Sequence, residues 1–181
     1  MEGNEKMDAL AAINSRRSVR RFQEREPEEQ TIGALLKAAT RAPSAGNLQP
    51  WHFYAVRDRE TRQALATAAG SQSHVARAPV VVVVCAEPER SARHYGDRGR
   101  YLYSIQDTAA ATENLLLAAT AMGLGSCWTG AFDEAAVARV LEAPEGRLPV
   151  VLVPLGYPER ERASASSRRD ISEVVTEIRG R

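Results

Sequence analysis

Hydrophobic positions along this chain change period several times, and each change marks an element. From Glu28 to Arg41, Ile32, Leu35, Leu36 and Ala39 recur at helical spacing behind Pro27, which a helix start tolerates, so the pattern predicts a helix. His52-Phe53-Tyr54-Ala55-Val56 is aromatic and branched and predicts a strand, followed by a helix from Arg59 to Ala69 that Gly70 ends. Val80 to Val84 and Cys85 form an unbroken apolar run, the pattern of a strand buried on both faces, so helices must cover both sides of its sheet. Ser104 to Met122 carries Ile105, Ala109, Thr112, Leu116 and Ala119 on one stripe, with Leu115, Leu117, Ala118 and Ala121 filling much of the rest. A helix apolar nearly all round is central, or packs against another subunit.

Shorter signals complete the outline. Asp8 can cap a short helix with Leu10 and Ile13 on its apolar edge. Gly123 and Gly125 stop the long helix, Ser126 to Gly130 reads as a short strand and turn, and Asp133 caps a helix running to Leu141. The last apolar strand, Pro149 to Leu155, is expected to end at Pro154, and a short helix closes the tail. Residues 87–103 are charged and irregular, which predicts an exposed loop or a small lid. The alternation of elements points to one α/β domain over residues 1–181, with a mixed sheet covered by helices on both faces.

Composition narrows the function. A hydrophobic fraction of 44% and a charged fraction of 26% are ordinary for a globular protein, and a net charge of +1 argues against a general nucleic-acid binder. Two cysteines, Cys85 and Cys127, lie apart among apolar residues, so a disulfide scaffold is not expected. No secretory signal and no membrane-length apolar run are present in the sequence, and the expectation is a cytoplasmic protein without membrane contact. Three scattered histidines lack ligand spacing, so no metal site is expected. Nucleophile elbows, Walker loops and Rossmann glycine patterns are absent as well.

Two stretches then stand out. Arg16, Arg17, Arg20 and Arg21 fall within six residues, and on extended backbone Arg16, Ser18 and Arg20 share one side, where they could converge on an anion or form a solvated basic turn. Pro43-Ser44-Ala45-Gly46-Asn47-Leu48-Gln49-Pro50-Trp51 combines turn formers with several donors and acceptors. It suits either a helix-to-strand turn or the polar rim of a planar ligand, with Trp51 as an anchor.

Taken in order, Arg16-Arg17-Ser18-Val19-Arg20, the loop from Pro43 to Trp51 and the segment from Gly123 to Gly130 resemble the FMN-dependent nitroreductase family over almost the whole chain. The resemblance implies a mostly antiparallel central sheet and a homodimer with FMN at the subunit interface. It also implies NADH or NADPH as reductant, and nitroaromatic, quinone or similar small acceptors reduced by ping-pong hydride transfer at flavin N5. No nucleic acid or membrane partner is implied.

By position, Arg16, Arg17, Ser18 and Arg20 would meet the phosphate, ribityl and pyrimidine groups, with Arg168 or Arg169 completing the phosphate site. Pro43, Ser44, Ala45 and Asn47 would come from the partner subunit. Gln72 or Ser71 would reach the pyrimidine edge, and Trp128, Thr129 and Gly130 would face N5 with a backbone N–H from Thr129 or Gly130. No protein side chain is assigned as catalytic.

The tail Arg168-Arg169-Asp170-Ile171 lacks the proline that many relatives carry after the basic pair. The segment before the long helix is shorter than in larger members, which implies a shallow pocket covered only by residues 87–103. Related roles on this fold are flavin destruction, dehalogenation, azoline oxidation, or flavin binding without turnover.

Overall fold

A computed structural model describes residues 7–159 and 167–180. The valine run becomes the middle of the sheet because it can satisfy two cores at once. Strand β2 (Val80–Ala86) is buried at every position, and it pairs antiparallel with β1 (Trp51–Val56) on one side and β4 (Leu148–Gly156) on the other. The two-residue β3 (Gly125–Ser126) adds to the far edge of β4, giving the order β1-β2-β4-β3. All the strand ladders are antiparallel, and one parallel bridge, Ser18 to Ser126, extends the sheet.

Side chains alternate between two apolar layers, as period two requires. Val80, Val82 and Val84 face α2 (Glu29–Ala39) and α6 (Ser104–Ala121) through Ile32, Leu35, Leu115, Leu116 and Ala119. Val81, Val83 and Cys85 face α3 (Arg59–Ala68), α4 (Ser73–Arg77) and α7 (Glu134–Val140) through Leu65, Val75 and Val137. Helices therefore cover both faces, as the valine run predicts. Burial pushes the Cys85 thiol up to about 12, so this cysteine acts as core and not as a nucleophile.

Helix caps fall where the sequence places them. Asp8 accepts the Ala11 N–H at 2.8 Å at the head of α1 (Ala9–Ser15), and Asp133 accepts the Ala136 N–H at 2.9 Å at the head of α7. Leu10 and Ile13 nevertheless stand exposed on α1, where only Ala12 is buried.

Three expectations need correction. Residues 87–103 are mostly helical: they form α5 (Pro88–Arg98), kinked at Gly96 where φ is 54°, and a π-turn (Gly99–Tyr103) that leads into α6. Pro88 supplies the helix start, and Gly99 packs so closely on α5 that a Cβ there would lie 2.4 Å from the Ser91 carbonyl oxygen. Strand β4 runs through Pro154 to Gly156. The Pro154 carbonyl faces away from β2 to accept the Cys127 N–H at 3.2 Å, so the missing proline N–H lies on that same outer side and costs no β1-β2-β4 ladder bond. Helix α4 is an addition, its five residues being too few for a periodic signal. The helix expected to close the tail is one 3-10 turn, Ile171–Glu173, and residues 175–180 beyond it form no element.

Candidate functional site

The outer edge of β4 gathers three segments that are remote in sequence. The stretch after α1 is extended, and the Val19 N–H donates to the Ser126 carbonyl at 2.9 Å. Such close approach requires Gly125, since a Cβ there would lie 2.7 Å from Val19. Beyond β3 the chain turns back, and Thr129 exchanges both backbone bonds with Leu152, at 2.9 and 3.0 Å.

A third segment, leading into and through α4, holds this turn from the side. His74 Nε2 lies 3.0 Å from Thr129 Oγ1 in buried surroundings, and Gln72 Nε2 donates to the Ala131 carbonyl at 2.9 Å. Burial first, and the Arg20 guanidinium second, hold the His74 imidazole below its usual range. Gln72 and His74 thus hold the 129–131 turn, with the Arg20 charge close enough to act on His74.

Of the two backbone donors expected to face a ligand, one is excluded. The Thr129 N–H is spent on Leu152, whereas the Gly130 N–H has no acceptor among the described residues. Gly130 is exposed, and a Cβ on it would meet only the Trp128 indole, at 3.5 Å from Nε1. Trp128 itself is 41% exposed, an unusual place for an indole without a partner surface.

The arginines are differently committed. Arg17 folds back onto the end of α1, donating to the carbonyls of Asn14 and Arg16 at 2.7 and 2.8 Å. Arg16 makes a loose pair with Glu113 on α6 at 3.7 Å, which leaves most of its donors uncommitted in that pair. Arg20 is exposed. In the tail, Arg169 is bound by Glu173 at 3.0 Å and Arg168 donates to the Ser167 carbonyl at 3.2 Å; both stand on an exposed segment.

The loop from Pro43 to Pro50 forms a second group. Ala45–Asn47 make a 3-10 turn, and Gly46, Asn47 and Gln49 all take positive φ, between 52 and 57°. Ser44 Oγ accepts the Gln49 N–H at 3.0 Å, and Trp51 buries its ring with Ala42 and Ala111. No hydrogen bond among the described residues joins this loop to the Arg16–Arg20, Gln72–His74 or Trp128–Gly130 group of the same chain. It is tied instead to α5 and α6, with Gly46 and Asn47 exposed.

Two residues here escaped the sequence reading. His74 carried no signal, being one isolated histidine. Asp107 did carry one: it precedes Ala111 and Leu115 at steps of four on the buried stripe of α6, where a carboxylate is unexpected.

His74 gives a prediction. Its folded pKa is depressed below the unfolded value near 6.5, so between those values the unfolded chain binds more protons and stability falls as pH falls. His52 acts in the same direction, through burial first and Arg147 second, against Glu87. Urea midpoints should therefore drop between about pH 7.5 and about pH 5.5, and His74→Gln should flatten part of that slope. An unchanged slope in the variant would exclude this histidine as a source.

Comparison with known proteins shows which family the chain is similar to. The nitroreductase family model matches residues 13–75 and 66–157. A protein of Archaeoglobus fulgidus named for NADH dehydrogenase and NAD(P)H nitroreductase activity is 40% identical over 161 residues, covering 86% of this chain and 88% of its own. The NADH dehydrogenase of Thermus thermophilus is 36% identical over 196 residues, covering 93% and 95%. Among solved structures, the NADPH:FMN oxidoreductase from Vibrio harveyi complexed with NAD+ matches with a TM-score of 0.85 at 28% identity, over 96% of this chain and 78% of that one. By the family model and by these identities over most of its length, the chain belongs to the nitroreductase family.

Proposed function

We propose that this chain is an FMN-dependent oxidoreductase that draws hydride from NADH or NADPH and reduces nitroaromatics, quinones or similar small acceptors, working as a homodimer with FMN at the interface. The observation that carries the reading is the Gly130 N–H, unspent beside Trp128, on a turn that His74 and Gln72 hold next to the arginine stretch. The donor set fits FMN: cationic guanidinium groups for a phosphate, side-chain amides and hydroxyls for a polar ring edge, and a neutral backbone donor for a ring nitrogen. FMN, when bound, would supply the hydride-accepting and electron-donating chemistry.

The chain's own residues then have separate tasks. Arg16 and Arg20 neutralise the phosphate, joined in the dimer by Arg168 or Arg169. Ser18 and Gln72 orient the polar edge. The Gly130 N–H would be free to donate to a flavin ring nitrogen, and Trp128 would offer an aromatic face beside it. Ser44 and Asn47, presented on an exposed loop, reach the partner's cofactor. Dimerisation is supported by apolar side chains left exposed on one chain: Leu10 and Ile13 on α1, and Ile171, Val174, Val175 and Ile178 on the tail, the last 93% exposed. No helix among the described residues is long and apolar enough to cross a membrane.

Titrating the apoprotein with FMN, with the assembly mass measured alongside, tests this reading. One FMN per chain and a two-chain assembly are expected. A monomer that binds FMN tightly would contradict the shared site.

A further inference from the structure

Asp107 is at odds with its own helix. Ala111, Leu115 and Ala119 continue its stripe on α6 and are fully buried, and Asp107 itself is only 7% exposed. Burial raises its carboxyl above the usual range, with the Ala45 N–H acting against that. No Lys, Arg or His forms an ion pair with it among the described residues. A buried carboxylate without a cation adds little to a core and usually costs stability. Its presence is explained by what it holds.

Both Asp107 oxygens accept the Ala45 N–H, each at 3.2 Å. Ala45 opens the 3-10 turn, so its N–H is one of the donors that a helix start leaves unpaired. Ser44 stands at the N-cap, yet its hydroxyl is turned to the Gln49 N–H. A carboxylate from another helix thus takes over the capping role, freeing the Ser44 side chain to brace the loop.

The remaining anchors act elsewhere on the loop. The Arg90 guanidinium donates to the Leu48 carbonyl, the Tyr95 hydroxyl lies 2.7 Å from where a Gly46 Cβ would be, and the Glu87 N–H donates to the Pro50 carbonyl at 2.9 Å. Among the described residues, Asp107 is the one that reaches the Ser44 end from α6. The non-glycine residues Asn47 and Gln49 hold positive φ at a conformational cost, so the loop depends on such ties for its shape.

We propose that Asp107 is a positioning residue: by accepting the Ala45 N–H it fixes the orientation in which Ser44 and Asn47 are presented to the FMN of the partner subunit. This rests on the flavin reading above. Asp107 acts through the loop and has no direct part in the chemistry.

The test compares variants by FMN titration of the dimeric apoprotein, by the visible circular dichroism of the bound flavin and by thermal unfolding. Asp107→Ala should bind FMN about tenfold more weakly with altered flavin bands. Asp107→Asn should stay within about threefold of wild type, because its carboxamide oxygen still accepts the N–H. Thr108→Val, one residue along α6 and equally buried, should lose thermal stability without either flavin effect. Ala45→Pro removes the donor instead, at a turn position that tolerates proline and behind a Ser44 already extended at φ −144°. It should weaken FMN as Asp107→Ala does, and if Asp107→Ala does not fold, wild-type affinity in Ala45→Pro alone overturns the proposal. Wild-type affinity and flavin bands in both Asp107→Ala and Ala45→Pro would overturn the proposal. Wild-type apoprotein that takes up no FMN would sink the flavin reading first, and this inference with it.

Discussion

Arg16→Ala should lose FMN affinity by roughly ten- to a hundredfold, the range spanned by removing one charge-assisted hydrogen bond of about 1.5–3 kcal/mol. The side chain is well placed for such a test because the fold hardly uses it. The α1 C-cap runs through the Arg16 backbone N–H to the Ala12 carbonyl, which the substitution leaves intact. Its ion pair with Glu113 is long at 3.7 Å and partly solvated, so its loss should change stability by less than about 1 kcal/mol. Affinity and stability are therefore expected to separate. Glu113→Gln, which frees the same guanidinium from a competing carboxylate, should act in the opposite direction. A fluorescence titration of each apoprotein reads both effects, and an Arg16→Ala variant that keeps wild-type affinity would remove Arg16 from the phosphate site.

Gly125→Ala should damage fold and site together. The new methyl would lie 2.7 Å from the Cβ and Cγ1 of Val19, so either β3 or the extended arginine stretch must move. Overpacking of this kind costs about 1–3 kcal/mol, and here the displaced segment carries Ser18 and Arg20. FMN affinity should fall along with the unfolding midpoint. Gly33→Ala makes the contrast: it sits in α2 with nothing within 4 Å of its would-be Cβ, and should stabilise by about 0.4–1 kcal/mol with no effect on FMN. Equal thermal stability of Gly125→Ala and wild type would mean that the strand contact is softer than its geometry implies.

These two substitutions show what one chain of residues discloses and what only the packed chain can. The valine run announced its burial on both faces because each position is apolar, and its two layers indeed receive alternate valines. The Asp8 and Asp133 caps were legible for a similar reason, since the interaction spans three residues. Residues 87–103 misled because their charges point outward on a helix, where the exposed face dominates the composition. The buried side of that segment is only Ser91 and Gly99, which carry no hydrophobic signal.

The site divides along the same line. Arginines and the polar loop could be picked out by residue type, and the resemblance gave them an order. What could not be read is which of two adjacent N–H groups stays unpaired, because that depends on Thr129 facing Leu152 across the sheet. Nor could the partners of His74 and Asp107 be read, since they lie 55 and 62 residues away, even though Asp107 stood out on its buried stripe. Long-range hydrogen bonds leave no local pattern.

The most direct test of the central claim is anaerobic mixing of the FMN-loaded protein with NADH or NADPH while the oxidised flavin's visible absorption is followed. The reading predicts that at least one nicotinamide bleaches the flavin rapidly and completely, and that a quinone or nitroaromatic added afterwards restores the colour. A bound flavin that neither nicotinamide reduces would contradict it.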